Sequence, residues 1–284
     1  MKRVMNKLPD ELLRTIGYYL KTSDRVHFSM VDKATYRNIL IDEIRYTHMG
    51  TRYLTDAILR QPRFAWLKVL EIQCSSISNY GLENLQELEE LCAVHCVNIT
   101  DLNKLTKLKR LNVSYTGPIG RYSITPISDS GIRNLTQLEV LCIDNIPTIK
   151  NIGHMTSLKT LSMNGCCGVL NKNILSLVNI TELHISNNRN ITDINHMRSL
   201  RVLYADSRLV CYQDPRRNRI KTYYESCVMT DAGFAELDSL KELRAFNTQG
   251  IAREIGDIGD IEKEGERCGE CYETDRETFY LYNT

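Results

Sequence analysis

The sequence predicts an α/β chain in which a short helical module precedes a curved solenoid with a parallel sheet on its concave side. Three observations predict it. First, one apolar frame recurs along the chain. Four copies start at Leu138, Leu158, Ile180 and Leu200, spaced 20, 22 and 20 residues apart. Others open upstream at Leu67, Leu88 and Leu108, and one opens downstream at Leu240. Second, each frame places apolar residues at its first, fourth and sixth positions, as in Leu138, Leu141 and Ile143. The last two are two residues apart and so share one side of a strand. A helical period would not place them so in every unit. Third, residues 1–50 lack the frame and show helical spacing instead.

The helical module starts at Leu8-Pro9. Proline suits the start of a helix, and Asp10 and Glu11 suit its first turn. Leu12, Leu13, Ile16, Tyr19 and Leu20 then share one side. Ser23 is a candidate N-cap for a second short helix carrying Val26, Phe28 and Val31. A third helix is expected from about Lys33 to Tyr46, with Tyr36, Leu40 and Ile44 at helical spacing. Three short helices bury little alone, so the module should lean on its neighbour. Residues 51–66 read as a helical linker that Pro62 stops, with Phe64 and Trp66 packed at the junction.

The solenoid is expected over 67–250, with about eight repeats. One repeat cannot bury its apolar face alone, but stacked repeats share a continuous core. Pairs such as Ile99 and Leu102, Ile149 and Ile152, and Ile191 and Ile194 should close the convex half. The outward strand positions are Glu71, Cys92, Asn112, Cys142, Ser162, His184, Tyr204 and Arg244, with His95, Tyr115, Asn145, Asn187 and Phe246 beside them. This neutral, mixed strip suits a protein partner. It lacks the clustered Lys and Arg of a groove that tracks nucleic-acid phosphates.

Two spacings break the period. Inserts at 117–126 and 208–226 both leave just after a strand and should project from one edge. The second holds Arg208, Arg216, Arg217, Arg219 and Lys221 among Tyr212, Tyr223 and Tyr224. It reads either as a contact for an acidic or phosphorylated partner segment or as a solvated flexible loop. The candidate target-binding residues are Tyr115, His184, Tyr204, Arg216, Arg217, Arg219 and Arg244. The tail, 251–284, is acidic; it could cap the last repeat, trail in solvent or lie against the basic insert.

Net charge is +1, which gives no global pull toward nucleic acid or membrane. No apolar run is long enough to span a bilayer, and no apolar stretch follows the basic N-terminus as a signal peptide requires. The ten cysteines are therefore expected to be free thiols in a reducing compartment, with the protein cytoplasmic or nuclear. Cys268 and Cys271 form a lone C-x-x-C, without the further pair that zinc needs. No phosphate loop or catalytic motif is present, and His95, His184 and His196 fall at different repeat positions. No enzymatic activity, metal, cofactor or small-molecule substrate is expected.

Two resemblances sharpen this. Residues 65–250 resemble the leucine-rich-repeat family in its cysteine-containing form. The match lies in the eight frames and in the corners Cys96 with Ile99-Thr100-Asp101 and Asn188 with Ile191-Thr192-Asp193. Ile127-Ser128-Asp129 and Met229-Thr230-Asp231 are weaker copies, and Cys166 stands at the Cys96 position. The resemblance implies that Cys96 and Cys166 fill a buried turn slot. Residues 1–50, from Leu8-Pro9-Asp10-Glu11-Leu12-Leu13 to Tyr36-Arg37, resemble an F-box. Gly17, Asp32 and Tyr36 depart from that pattern. The resemblance implies docking on a Skp-type adaptor, and through it a cullin, by a set that includes Leu8, Pro9, Leu12, Leu13, Ile16, Leu20, Val26, Phe28, Val31 and Tyr36. The implied function is substrate recognition for a ubiquitin ligase of the SCF type. The alternative is a ligase-independent interaction scaffold whose N-terminal helices are only a cap.

Overall fold

The computed structural model describes residues 8–20, 24–25, 28, 34–35, 40–45, 54–73, 75–115, 127–214, 219–225, 227–245 and 251. Helix α1 spans Asp10–Tyr19, with Pro9 as its N-cap and Leu20 extended beyond it. Strand β1 is Glu43–Ile44. A short helix α2, Asp56–Leu59, is capped by the Thr55 side chain, and a 3-10 turn follows at Pro62–Phe64. The repeats then supply β2 (Val69–Gln73), α3 (Asn79–Leu82), β3 (Glu90–Val94), β4 (Arg110–Asn112) and α4 (Asp129–Ile132). They continue with β5 (Val140–Cys142), β6 (Thr160–Ser162), β7 (Glu182–His184) and β8 (Val202–Tyr204). Strands β9 (Arg208–Asp214) and β10 (Arg219–Glu225) precede the last repeat strand, β11 (Glu242–Arg244).

Nine strands form one parallel sheet in the order β1-β2-β3-β4-β5-β6-β7-β8-β11. Its register is that of the leucine frame. Leu70 pairs with Leu91, Leu91 with Leu111, and so through Leu141, Leu161, Leu183 and Leu203 to Leu243. Every member of this column is buried. Full burial of a leucine side chain contributes about 2 kcal/mol, so the column alone supplies a large share of the driving force. The expected convex pairs are buried as well: Ile99 with Leu102, Ile149 with Ile152, and Ile191 with Ile194. The chain is thus a solenoid of stacked, leucine-framed repeats with a parallel sheet on one side and turns and short helices on the other.

Backbone bonds hold the stack outside the short strands. The residue before each strand donates to its counterpart one repeat back: Glu89 to Lys68, Lys109 to Glu89, Glu139 to Lys109, Lys159 to Glu139, Thr181 to Lys159, Arg201 to Thr181 and Lys241 to Arg201. After the strands, His95, Asn145, Gly165 and Asn187 all take positive φ, which turns the chain out of the sheet. On the convex side a Cβ on Gly131 would lie 2.1 Å from the Thr100 carbonyl oxygen, so stacking there requires glycine.

Four expectations are corrected. The third helix does not reach Tyr46, because Glu43–Ile44 is a strand paired with Val69 and Leu70. Ile44 is in the core, where it extends the leucine column by one strand. Tyr19 is 81% exposed and does not share the buried side of α1, which is Leu13 and Gly17. Trp66 is 58% exposed while Phe64 is buried: Phe64 ends the 3-10 turn, and Trp66 lies beyond it. Cys166 is exposed, and Cys167 occupies the turn slot at 4% exposure.

The acceptors show why that slot moved. The Cys96 thiol donates to the Ile72 carbonyl, the Cys167 thiol to the Ile143 carbonyl, and the Asn188 amide to the Met163 carbonyl. Ile72, Ile143 and Met163 are the same position, one repeat back in each case. The 22-residue repeat that starts at Leu158 carries extra chain at the turn, which throws Cys166 outward. Cys167→Ala should cost about 1–2 kcal/mol, from a lost buried hydrogen bond and a small void. Cys166→Ala should stay within about 0.5 kcal/mol of the parent. Urea midpoints at constant m-value measure both, and the reverse order would restore Cys166 to the slot.

The second insert contains regular secondary structure. Its backbone forms an antiparallel pair in which Arg208 faces Glu225 and Asp214 faces Arg219. Leu209, Val210, Tyr212, Ile220, Tyr223 and Tyr224 are strand formers, which favour pairing over a coil. Val26, Val31, Tyr36, Arg216, Arg217, insert 117–126, Phe246, Cys268, Cys271 and all of the tail beyond Ile251 lie outside the described residues.

Candidate functional site

The sheet register converts the outward strand positions into rows. The central row runs Glu71, Cys92, Asn112, Cys142, Ser162, His184, Tyr204 and Arg244, each paired with the next. Its middle is floored by small side chains. Its two ends carry bulk and charge.

At the N-terminal end, the Arg45 guanidinium reaches Glu43 at 2.5 Å and Glu71 at 2.7 Å. At the C-terminal end the His184 ring stacks on Tyr204, with centroids 4.6 Å apart and planes 18° apart. His184 Nε2 lies 2.8 Å from a Glu182 carboxylate oxygen, and the Tyr204 hydroxyl donates to Glu242 at 2.8 Å. The hydrogen bond from His184 holds the Glu182 carboxyl below its ordinary range. Burial first, then the Glu242 carboxylate, pushes the Tyr204 phenol up to about 12, so it stays a donor. His184 is only 8% exposed, so Tyr204 and the two carboxylates are the accessible part of this cluster.

A second, more polar row runs beside the first. The Asp144 amide donates to Ser114 Oγ, while Asp144 Oδ1 accepts from Ser162 Oγ at 2.6 Å and from the Asn164 amide at 2.8 Å. Asn164 Oδ1 accepts from the Ser186 amide, Ser186 Oγ from the Asp206 amide, and Asp206 pairs with Arg244 at 3.1 Å. The row satisfies backbone amides that leave the sheet after each strand, so it is as much structural as receptive. Beside the row, the rings of His95 and Tyr115 meet edge to face, 4.7 Å apart. Burial lowers the His95 pKa, so that ring is neutral at physiological pH.

The structure therefore brings His184, Tyr204 and Arg244 together at one end of the face and sets Tyr115 apart from them, beside His95. Arg219 lies on β10, in the hairpin that leaves the array after Ser207. The N-terminal candidates divide by burial: Leu13 is buried, Leu8, Ile16, Leu20 and Phe28 are half-buried, and Pro9 and Leu12 are exposed. Sequence reasoning missed Glu182, Glu242, Asp144 and Asp206. Their signal was present, since each lies two residues from a central-row position on the same side of its strand.

No protein-family model matches the chain, and no curated protein matches it. Solved structures resemble it in chain course. Internalin C2 from Listeria monocytogenes is 21% identical with a TM-score of 0.41, over 68% of this chain and 84% of that one. The functional domain of InlJ from the same organism is 14% identical with a TM-score of 0.40, over 76% and 55%. A TLR13 chain in complex with ssRNA13 is 18% identical with a TM-score of 0.34, over 51% and 27%. At these values no function is carried across. The class of the chain rests on its own register: a solenoid of stacked, leucine-framed repeats with a mixed polar and aromatic row on the outward side of its sheet.

Asp144 gives a pH test of this face. Burial raises its carboxyl pKa above the ordinary 3.8, although Ser162 and Asn164 oppose the shift. A carboxyl raised in the folded state contributes stability below its unfolded pKa and loses it as pH rises through the folded value. Asp144→Asn keeps the Oδ1 acceptor and removes the buried charge. The variant should melt above the parent at pH 7.5, with the margin vanishing below the ordinary carboxylate range. Equal destabilisation at both pH values would show that the ionised carboxylate is needed.

Proposed function

We propose that this chain recognises a protein target on its concave face and presents that target to a cullin-based ubiquitin ligase through its N-terminal helices. One observation carries the proposal: α1 has two unlike sides. Leu13 and Gly17 are buried, while Pro9 and Leu12 are exposed, Leu12 at 44%. A helix that only capped the repeats would turn its apolar side inward and leave polar residues outside. An exposed proline and leucine at the start of the helix, with Leu8 and Ile16 half-covered beside them, suit a hydrophobic adaptor. In this reading the chain contributes no chemistry. It supplies proximity between the target and enzymes carried by other subunits, and it works in the cytoplasm or nucleus.

A second reading has its own support. Ile41 and Ile44 are in the core, and β1 continues the sheet edge. The N-terminal segment is therefore also part of the solenoid's end, as a capping unit would be. In that case the chain is an interaction scaffold with no ligase.

Co-purification separates the two. The full chain should capture a Skp-type adaptor, and Leu8→Ala with Pro9→Ala should reduce capture by on the order of tenfold or more, as loss of central apolar anchors does. The melting temperature should change little, since neither residue is buried. Absent capture, or capture untouched by the double variant, selects the scaffold.

A further inference from the structure

The residues that enter the strands form a row of their own: Lys68, Glu89, Lys109, Glu139, Lys159, Thr181, Arg201 and Lys241, each bonded through backbone to the next. Over the first five, charge alternates. Glu89 pairs with Lys68 at 3.1 Å and Lys109 at 2.7 Å, and Glu139 pairs with Lys159 at 2.7 Å. After Lys159 the alternation stops. Thr181 stands where a carboxylate would continue it, followed by two adjacent cations. Arg201 is exposed and makes no ion pair with any described residue.

An open basin of about 730 Å³ lies at this break. It is lined by Lys159, Arg198, Arg201 and the hydroxyls of Ser157, Thr181, Ser199 and Ser239, with Asn179 and a single carboxylate, Glu139. The carboxylate is committed to Lys159, which holds its pKa below the ordinary range. Arg198 is held by Glu236, through both its side chain and its carbonyl. Ser239 and Thr181 donate to backbone carbonyls. That leaves Arg201 with the Ser157 and Ser199 hydroxyls, which make no hydrogen bond among the described residues.

We propose that this basin binds a phosphoryl group carried on a peptide segment of a protein partner. The free donor set is a guanidinium fork with serine hydroxyls, which matches the several acceptor oxygens of a phosphoryl dianion and exceeds the needs of a single carboxylate. Lys159 and Arg198 add positive potential around it. The basin's free cationic donors are also local. Glu139 lines the same basin, and the row beyond it pairs its cations with carboxylates, so the basin offers one phosphoryl site and no track for a nucleic-acid backbone. The site lies at the strand-entry edge, opposite the edge from which the β9–β10 hairpin leaves. A segment lying across the concave face could therefore contact both the Tyr204 cluster and this basin.

The inference does not depend on adaptor docking, and its test uses the full chain without adaptor. A short peptide with one phosphoserine among neutral residues should bind in fluorescence anisotropy. Binding should weaken as salt rises and fall by on the order of tenfold in Arg201→Ala, with a smaller loss in Ser199→Ala. Lys107→Ala, whose side chain pairs with Glu87 outside the basin, should bind as the parent does. All three positions are exposed, so unchanged melting temperatures should accompany the binding result. The proposal is overturned by no binding, by equal binding of the unphosphorylated peptide, or by full binding in Arg201→Ala. Inorganic phosphate that competes at the same concentration as the peptide would overturn the assignment to a peptide-borne group.

Discussion

The structure depends on one constraint: each leucine of the column must lie in register against the leucine of the next repeat. The column from Leu70 to Leu243 is buried throughout, and the parallel pairing fixes every neighbour of each leucine. A slip of one residue would turn the core side outward and bring Glu71, Asn112 or His184 inside. The cost of burying those groups without partners makes the register nearly the only solution. The outward face of the sheet is thus a by-product of packing, with rows set by where the leucines must be.

Short strands of two to five residues cannot satisfy all the backbone in the array, so the remainder falls to the turns. Backbone donors before each strand bond one repeat back. Side chains such as Asp144, Asn164 and Ser186 accept amides after it. This explains why the concave face is polar without being empty of structure. It also explains where extra chain is tolerated. The hairpin enters between Ser207 and Cys227, and the bond from the Cys227 amide to Ser207 Oγ closes the repeat across the gap. Register is kept, because Leu203 still pairs with Leu243.

Much of this was legible in the sequence, and the reasons are specific. The frame fixed strand positions because residues two apart must share a side, and the central row follows from it without error. His184 and Tyr204 are the row's neighbouring aromatic members, and they do stack. The failures are equally physical. Ile44 fits a helical period as well as a strand of two residues, and only its pairing with Leu70 decides the matter. Cys166 and Cys167 are adjacent, so a one-residue difference in the turn cannot be seen from spacing. The size of Trp66 favours burial, whereas its place beyond the 3-10 turn leaves it 58% exposed. The strand-entry row was invisible because charged residues before a strand look like ordinary solvated positions until the register stacks them.

The two edges of the sheet differ as a result. One carries the β9–β10 hairpin, the other a charge ladder that runs until Thr181 interrupts it. Both depend on the repeats being stacked in parallel from β4 to β11. Spin labels placed through non-native side chains at Lys109 and Lys241 test that stacking directly, since both positions are exposed on the entry row. They lie five strand steps apart, and at about 4.8 Å per step the separation should be about 24 Å, in one narrow distribution. A broad distribution, or a mean far above that distance, would contradict the in-register parallel array.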